Sequence, residues 1–132
     1  MIEKTTHNEV GEFDFQGQKF RIDLRPGPQR APSDEHAFTL VKEPVMIDLY
    51  REIAASHSIE SIFEVGVFQG GSYVLLDKIF NPRKMTAIDI TKEPVRPLMN
   101  YISGRPTHHV HWGVSQGNGG ELHRIVDEDL GG

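Results

Sequence analysis

The residues best suited to chemistry lie in one stretch of the chain, IFEVGVFQGGSYVLL, at positions 62–76. An apolar run ends at Glu64, and Ser72 opens a renewed apolar pattern. Three glycines separate them: Gly66, Gly70 and Gly71. Glycine lets a ligand approach the main chain closely, and the start of a helix presents unpaired N–H groups. The spacing therefore predicts a strand, a ligand-binding turn and a helix.

The glycine spacing disfavours ligands held by their phosphates. A dinucleotide site needs G-x-G-x-x-G, but Phe68 occupies the second glycine position, where its side chain would crowd a pyrophosphate. A Walker phosphate loop needs a lysine after the glycines, and none follows. A ligand with an adenosine but no phosphate fits better. Asp89, 25 residues after Glu64, is then placed to accept hydrogen bonds from a ribose diol.

Alternating helix and strand patterns predict an α/β fold from residue 42 onward. The predicted helices cover about 42–56, 72–80, 94–101 and 121–130, and the predicted strands cover 61–65, 85–90 and 108–114. Strands separated by helices indicate βαβ crossovers and a parallel sheet. We therefore expect the first half, strands 1–3, of a Rossmann-like three-layer parallel sheet. In the first helix, the spacing predicts that Val45, Leu49 and Ile53, with Met46 and Tyr50 beside them, face inward.

The N-terminal part has a different pattern. Residues 1–10 are polar and are expected to fray, whereas residues 13–24 alternate around Gly17 and predict a β-hairpin. Residues 25–36 contain three prolines and predict an irregular connector. This gives two units, 1–37 as hairpin and connector and 38–132 as the ligand-binding domain. Gly131 and Gly132 are typical of a helix C-cap before another strand, so we expect the domain to be truncated before strand 4.

Composition limits the classes of partner and compartment. The net charge of −5 and the lack of a basic run argue against nucleic acid, and no apolar segment is long enough to span a membrane. The chain has no cysteine, which excludes disulfides, Cys-ligated zinc and thiol nucleophiles. These features favour a cytoplasmic protein that acts on a small molecule. An uncovered edge of strand 1 would favour a homo-oligomer.

The string EVGVFQGGS followed by MTAIDI resembles motifs I and II of class I S-adenosylmethionine-dependent methyltransferases. It is most similar to the branch that contains sugar O-methyltransferases and proteins labelled cephalosporin hydroxylase, over roughly residues 38–130. The resemblance implies S-adenosyl-L-methionine as cofactor and O-methylation of a sugar or another small hydroxylated metabolite. It implies these cofactor-binding residues: Glu64, Gly66, Gly70, Gly71, Ser72, Asp89, Ile90, Gly113, Val114 and Ser115.

The resemblance also assigns roles to these positions. Glu64 would orient the methionine amino group through the loop, and Ser72 would hold the carboxylate end through its N–H or hydroxyl. Asp89 would take the ribose hydroxyls, with Ile90 beside the adenine, and 113–115 would line the adenine pocket. The branch carries an acidic pair and a histidine after strand 4 that bind a divalent metal such as magnesium. In this chain those ligands would lie beyond residue 132, so no catalytic residue is assigned, and a fragment that ends there is expected to be inactive.

Three alternatives stay open from the sequence. The same fold could serve an NAD(P)-binding oxidoreductase, or a non-catalytic Rossmann-like binding module. The glycines, Asp89 and Glu64 could also be explained by turn geometry, capping and local pairing. His109 and His111 share a strand face and could ligate a metal, but no third ligand is visible nearby, so we expect no metal site there.

Overall fold

The computed structural model describes residues 3–4 and 10–131 of the chain, and two β-sheets form its framework. The first sheet has the order β1-β2-β3-β4 and comprises β1 (Glu3–Lys4), β2 (Val10–Phe15), β3 (Gln18–Asp23) and β4 (Ala37–Leu40). The first two pairings are antiparallel, whereas β4 lies parallel to β3. The predicted N-terminal hairpin is present as β2 and β3, and the fraying expected for residues 1–10 falls mostly outside the described residues.

The hairpin follows from its turn and its aromatic pair. Gln16 and Gly17 both have positive φ, 51° and 81°, as the favoured two-residue hairpin turn requires. Phe13 and Phe20 are opposite each other in register, and their stacked ring centroids are 5.3 Å apart. The sequence did not predict β4, because all four of its residues are buried and therefore show no alternation.

The second sheet is parallel and has three strands in the order β5-β6-β7. These are β5 (Ser61–Val65), β6 (Lys84–Asp89) and β7 (His108–Trp112). Helix α2 (Gly71–Phe80) connects the first two strands and α3 (Arg96–Ile102) the last two. The predicted mixed α/β class and parallel three-stranded sheet are confirmed. Strand β6 ends one residue earlier than predicted and β7 two, so Ile90, Gly113 and Val114 lie in loops.

Helix α1 (Pro44–Ser56) turns a different face to the core than the sequence predicted. Ile47 is its buried residue, with 4% of its surface exposed. Val45 and Leu49 are 66% and 46% exposed, so the predicted inward stripe is wrong for them. The stripe has the correct helical period, but no described element lies over its outer part. Apolar spacing alone identifies the helix without identifying which part of its apolar arc meets the core.

The last predicted helix is two segments in the structure. Helix α4 (Gly119–Ile125) is capped at its N-terminus by Asn118, whose Oδ1 accepts from the Glu121 N–H at 3.1 Å. A π-helical turn follows over Val126–Leu130. Gly131 comes directly after it with φ −66°, not the left-handed conformation typical of a glycine cap, and Gly132 lies outside the described residues.

One hydrophobic core joins both sheets. Phe20 and Leu40 of the first sheet belong to the same buried cluster as Tyr73 of α2 and Met85 of β6. The expected boundary between residues 37 and 38 therefore falls inside β4, whose Phe38 and Leu40 side chains are part of this core. None of the helices in the described ranges has the length and hydropathy needed to cross a bilayer.

Candidate functional site

A cleft of about 860 Å³ lies beyond the carboxyl ends of the parallel strands, where ligands bind in open α/β sheets. Its volume is in the range of small-molecule and cofactor sites, about 300–1,000 Å³. Five of the ten predicted site residues line it: Gly66, Asp89, Ile90, Val114 and Ser115. They come from the carboxyl ends of three strands and the loops that follow them, so the sheet brings together positions as far apart as Gly66 and Ser115.

Asp89 points toward the glycine loop, and main-chain N–H groups of the loop donate to its carboxylate. The Val67 N–H donates to Asp89 Oδ2 at 2.7 Å, and the Phe68 N–H donates to the same oxygen at 3.1 Å. The Thr91 N–H donates to Asp89 Oδ1 at 2.9 Å. The side chain therefore fixes the loop after β5 to the end of β6. A carboxylate offers about four acceptor positions, two on each oxygen, so Oδ2 is fully used and Oδ1 keeps one for a ligand.

The three glycines of the loop have different reasons to be glycine. Gly66 has φ +87° and lines the cleft, and a Cβ there would meet only the Phe68 ring at 3.9 Å. Gly70 has φ +89°, and its Cβ would lie 3.0 Å from that of Leu98. A Cβ on Gly71 would lie 2.2 Å from the Thr39 carbonyl oxygen. Gly66 is thus open to a ligand, whereas Gly70 and Gly71 serve packing of α2.

Glu64 and Ser72 lie together in a smaller recess of about 110 Å³. The Ser72 hydroxyl donates to Glu64 Oε2 at 2.5 Å. The other oxygen, Glu64 Oε1, is buried and has no hydrogen-bond partner among the described residues. Burial raises the pKa of Glu64 to about 7, although the Ser72 hydroxyl and the nearby Lys42 charge oppose the rise. Since the Ser72 hydroxyl is already engaged, its N–H is the donor left for a ligand.

Phe68 shapes the rim of the cleft. It has φ +51°, uncommon for a residue other than glycine, and its side chain is 66% exposed. Val65 and Ile90, also at the cleft, are 49% and 75% exposed. The Phe68 ring leaves the cleft open. Together the three side chains give the cleft an apolar rim suited to a flat aromatic group such as a purine base.

The loop after β7 is tied to the loop after β6. The Gly113 N–H donates to the Thr91 carbonyl at 2.7 Å, and the Val114 N–H donates to the Asp89 carbonyl at 3.0 Å. Gly113 has φ +74° and lies outside the cleft lining. Its structural contribution is to turn the chain so that Val114 and Ser115 reach the cleft.

The connector supplies a wall of the cleft that the sequence analysis missed. Ser33 and Arg30 both line the cleft. The Ser33 hydroxyl donates to the Gln69 carbonyl at 2.6 Å, and the Ser33 N–H donates to Gln69 Oε1 at 2.9 Å. These bonds clamp the glycine loop to the first sheet. The sequence spacing did not predict these hydrogen bonds, because a proline-rich segment has no periodic pattern that shows which part of the protein it contacts.

A buried ion pair holds this connector in place. The Asp23 side chain is fully buried and accepts from Arg25 Nε and Nη2 at 2.8 and 2.7 Å. It also accepts from the Ala31 N–H at 2.9 Å. These donors, led by the Arg25 guanidinium, hold the pKa of Asp23 far below its usual range, although burial opposes them.

Two of the three histidines of β7 are paired with aspartates. His108 Nε2 lies 2.7 Å from Asp77 Oδ1, and His111 Nε2 lies 2.6 Å from Asp129 Oδ2. The His109 and His111 rings stack with centroids 6.4 Å apart, so they share a face as predicted. Within residues 3–4 and 10–131, no three His, Cys, Asp or Glu side chains are grouped as metal ligands.

No protein-family model, curated protein or solved structure matches this chain. The chemistry of the cleft and the recess is therefore the basis for assigning a function.

Proposed function

We propose that this chain binds S-adenosyl-L-methionine in the cleft and forms the cofactor-binding part of a Rossmann-like class I methyltransferase. One observation carries the proposal. Two carboxyl groups, Asp89 and Glu64, flank the glycine loop, and Asp89 takes the loop N–H groups that a phosphate would need. A site of this kind suits a ligand with hydroxyl groups and positive charge.

The same observation argues against a dinucleotide. In a dinucleotide site the loop amides and the helix N-terminus attract the pyrophosphate. Here the Val67 and Phe68 N–H groups already donate to Asp89, which places negative charge where the phosphates would lie. Two like charges at hydrogen-bond range repel each other, and the low dielectric of a cleft strengthens the effect.

The parts of the cofactor match different parts of the site. The adenine would lie on the apolar rim beside Ile90 and Val114. One ribose hydroxyl would donate to the remaining acceptor position on Asp89 Oδ1. The aminoacyl tail would follow Gly66 toward the recess, with its carboxylate at the Ser72 N–H. Gly70, Gly71 and Gly113 support this arrangement through the backbone and make no direct contact with the ligand.

The proposed reaction is methyl transfer to an oxygen of a sugar or another small hydroxylated metabolite. The cofactor supplies an electrophilic methyl group on a sulfonium. The described residues contribute binding and orientation, which can lower the barrier of a two-substrate step by several kcal/mol, up to about 7–11 kcal/mol. The cysteine-free composition is compatible with a reducing compartment, and we propose the cytoplasm as the location.

Isothermal titration with S-adenosylhomocysteine, in parallel with NADH, tests the cofactor. We expect binding of the former and none of the latter. Asp89→Asn should weaken binding about 10-fold to 100-fold, because a hydrogen bond to a charged group contributes about 1.5–3 kcal/mol. Asp14→Asn, an exposed carboxylate on β2, is the matched control and should bind like the unmodified protein. Heat with NADH and none with S-adenosylhomocysteine would replace this proposal with an oxidoreductase.

A further inference from the structure

The lining of the cleft includes two arginines that the proposed cofactor does not use. The cofactor is placed along the carboxyl ends of β5, β6 and β7, where Asp89 carries the negative charge. Arg30 comes from the connector between the hairpin and β4, and Arg96 is the first residue of α3. We call these two residues the arginine pair. They belong to a part of the cleft that is left for a second ligand.

The arginine pair reaches the cleft from two elements that meet at one point of the glycine loop. The connector is fixed there by Ser33, whose N–H and hydroxyl donate to the Gln69 side chain and carbonyl. Helix α3 meets the next residue of the loop, because a Cβ on Gly70 would lie 3.0 Å from Leu98 Cβ. Ser33 follows the first arginine by three positions, and Leu98 follows the second by two. Both guanidinium groups are therefore available to one ligand in the cleft.

Arg30 is held in place while most of its donors stay free. Its Nε donates to the Arg25 carbonyl at 2.8 Å, and the residue is half-buried. The main chain beside it is anchored, because the Ala31 N–H donates to the buried Asp23 carboxylate at 2.9 Å. A guanidinium has five N–H donors, so four remain on the two Nη atoms. This planar fork matches the paired oxygens of a carboxylate or a phosphate.

The arginine pair has no carboxylate partner within the part of the chain that the structure describes. Five other arginines are in ion pairs there: Arg21, Arg25, Arg83, Arg105 and Arg124. Asp23, which anchors the connector, already accepts from the Arg25 side chain and two main-chain N–H groups. Glu93 also lines the cleft, but it is exposed and is in none of these ion pairs. In a chain of net charge −5, two unpaired cations in one cleft favour an anionic ligand.

We propose that the arginine pair binds an anionic group, a carboxylate or a phosphate, on the molecule that accepts the methyl group. The half-buried Arg30 fixes the orientation of this anion, and the exposed Arg96 adds attraction. That the anion belongs to a methyl acceptor rests on the proposed function, whereas the anion site itself rests on the two arginines. The acceptor class narrows from hydroxylated metabolites in general to hydroxylated acids, such as sugar acids and sugar phosphates.

Titration calorimetry with three sugars tests the anion site, with and without S-adenosylhomocysteine and at equal ionic strength. D-glucuronate carries a carboxylate, D-glucose 6-phosphate carries a phosphate, and D-glucose carries neither. We expect the charged sugars to bind at least about 10-fold more tightly than glucose, because a charge-assisted hydrogen bond is about twice as strong as a neutral one. The charged sugar that binds more tightly identifies the anion.

Substitutions of single arginines assign the preference to the cleft. Arg30→Gln should remove most of the difference between charged and neutral sugars, and Arg30→Lys, which keeps the charge without the fork, should remove part of it. Arg96→Gln should reduce the difference about threefold, because exposed ion pairs are weak. Arg83→Gln is the matched control, since that side chain is 75% exposed and is paired with Glu60 away from the cleft. It should bind all three sugars like the unmodified protein.

The outcomes separate this inference from the cofactor proposal. Equal binding of the three sugars, or a preference that Arg30→Gln leaves unchanged, would overturn the anion site and leave the titration with S-adenosylhomocysteine to decide the cofactor. If S-adenosylhomocysteine does not bind but the preference persists and depends on Arg30, the cofactor proposal fails and the anion site stands. Binding of NADPH that depends on Arg30, without binding of NADH, would assign the anion to a dinucleotide phosphate and overturn the assignment to a methyl acceptor.

Discussion

At the scale of single residues, two carboxyl groups near one loop have opposite surroundings. Asp89 accepts three main-chain hydrogen bonds, whereas Glu64 accepts one from Ser72 and has one oxygen without a partner among residues 3–4 and 10–131. Hydrogen bonds to a carboxylate favour its charged form, and burial without them disfavours it. The two positions are therefore suited to different tasks: Asp89 holds the loop, and Glu64 is available for a proton or a cation.

The raised pKa of Glu64 makes the stability of the empty protein depend on pH. The folded value of about 7 exceeds the ordinary 4.5, so the folded state binds more protons than the unfolded state between these values. The stabilising effect of this proton is complete below about pH 4.5 and is lost as the pH rises through about 7. We expect the contribution of Glu64 to lower the free energy of unfolding, measured in urea, by about 2 kcal/mol between pH 5 and pH 8.

Glu64→Gln isolates that contribution. The free energy of unfolding of the variant should depend little on pH between about pH 5 and pH 8. At pH 8 the variant should be more stable than the unmodified protein. Urea unfolding of both proteins across this range is the measurement. Asp23 does not interfere, because its lowered pKa confines its effect to acidic pH below its ordinary value of 3.8. An equal slope in the two proteins would mean that Glu64 is ionised in the folded state throughout.

The residues of the site divide into those that a pattern can predict and those that it cannot. Gly66 and Asp89 were predicted from spacing and Glu64 from the resemblance, because a strand end followed by a glycine turn is a local feature of the sequence. Ser33 was missed, because its place at the cleft depends on a contact with Gln69, 36 positions away. The packing role of Gly71 also depends on a distant partner, the main chain of Thr39.

At the scale of elements, α2 approaches β4 at a point where a glycine is required. A Cβ on Gly71 would lie 2.2 Å from the Thr39 carbonyl oxygen and 2.7 Å from its carbonyl carbon, and main chain cannot move aside as a flexible side chain can. We expect Gly71→Ala to destabilise the protein by about 3 kcal/mol, the upper range for overpacking. Urea unfolding is the measurement. Gly119→Ala is the matched control, because a Cβ there meets nothing within 4 Å, and it should leave stability unchanged or slightly raised. Equal stability of the two variants would contradict the close contact between α2 and β4.

The orientation of α1 gives a second test at this scale. Ile47→Asn and Leu49→Asn introduce the same residue into the same helix, so their effects on helix propensity are similar. Ile47 is 4% exposed and Leu49 46% exposed. We expect a loss of more than about 3 kcal/mol for the first variant and less than about 1 kcal/mol for the second. A larger loss of stability for Leu49→Asn than for Ile47→Asn would mean that the helix face predicted from the apolar spacing is the one that meets the core.

The elements themselves were largely accessible from the sequence. The three parallel strands and the helices between them were located to within about two residues, because each is a buried run or an amphipathic stripe of ordinary length. Strand β4 and the buried face of α1 were not predicted correctly from the sequence. Both depend on which other elements surround them, and a single sequence states the period of an element without stating its neighbours.

At the scale of the whole molecule, the two sheets share one core and one cleft. Phe20 and Leu40 pack in the same cluster as Met85, and the clamp between Ser33 and Gln69 crosses between the sheets. The first sheet is consequently part of the ligand site, since the connector that leaves it supplies Ser33 and Arg30 to the cleft wall. A ligand in the cleft should therefore stabilise both sheets together.

This shared core leads us to expect a single cooperative unfolding transition. Trp112 in β7 is the one tryptophan of the chain, so its fluorescence reports the parallel sheet, whereas far-ultraviolet circular dichroism reports both sheets. In a urea titration the two signals should change at the same midpoint, as in two-state unfolding. S-adenosylhomocysteine should move both midpoints equally, because only the fully folded protein presents the complete cleft wall. If the dichroism were to change in two steps, with only one accompanied by the fluorescence, then the first sheet would be an independent unit, and Ser33 and Arg30 would contribute to the cleft only while that unit is docked.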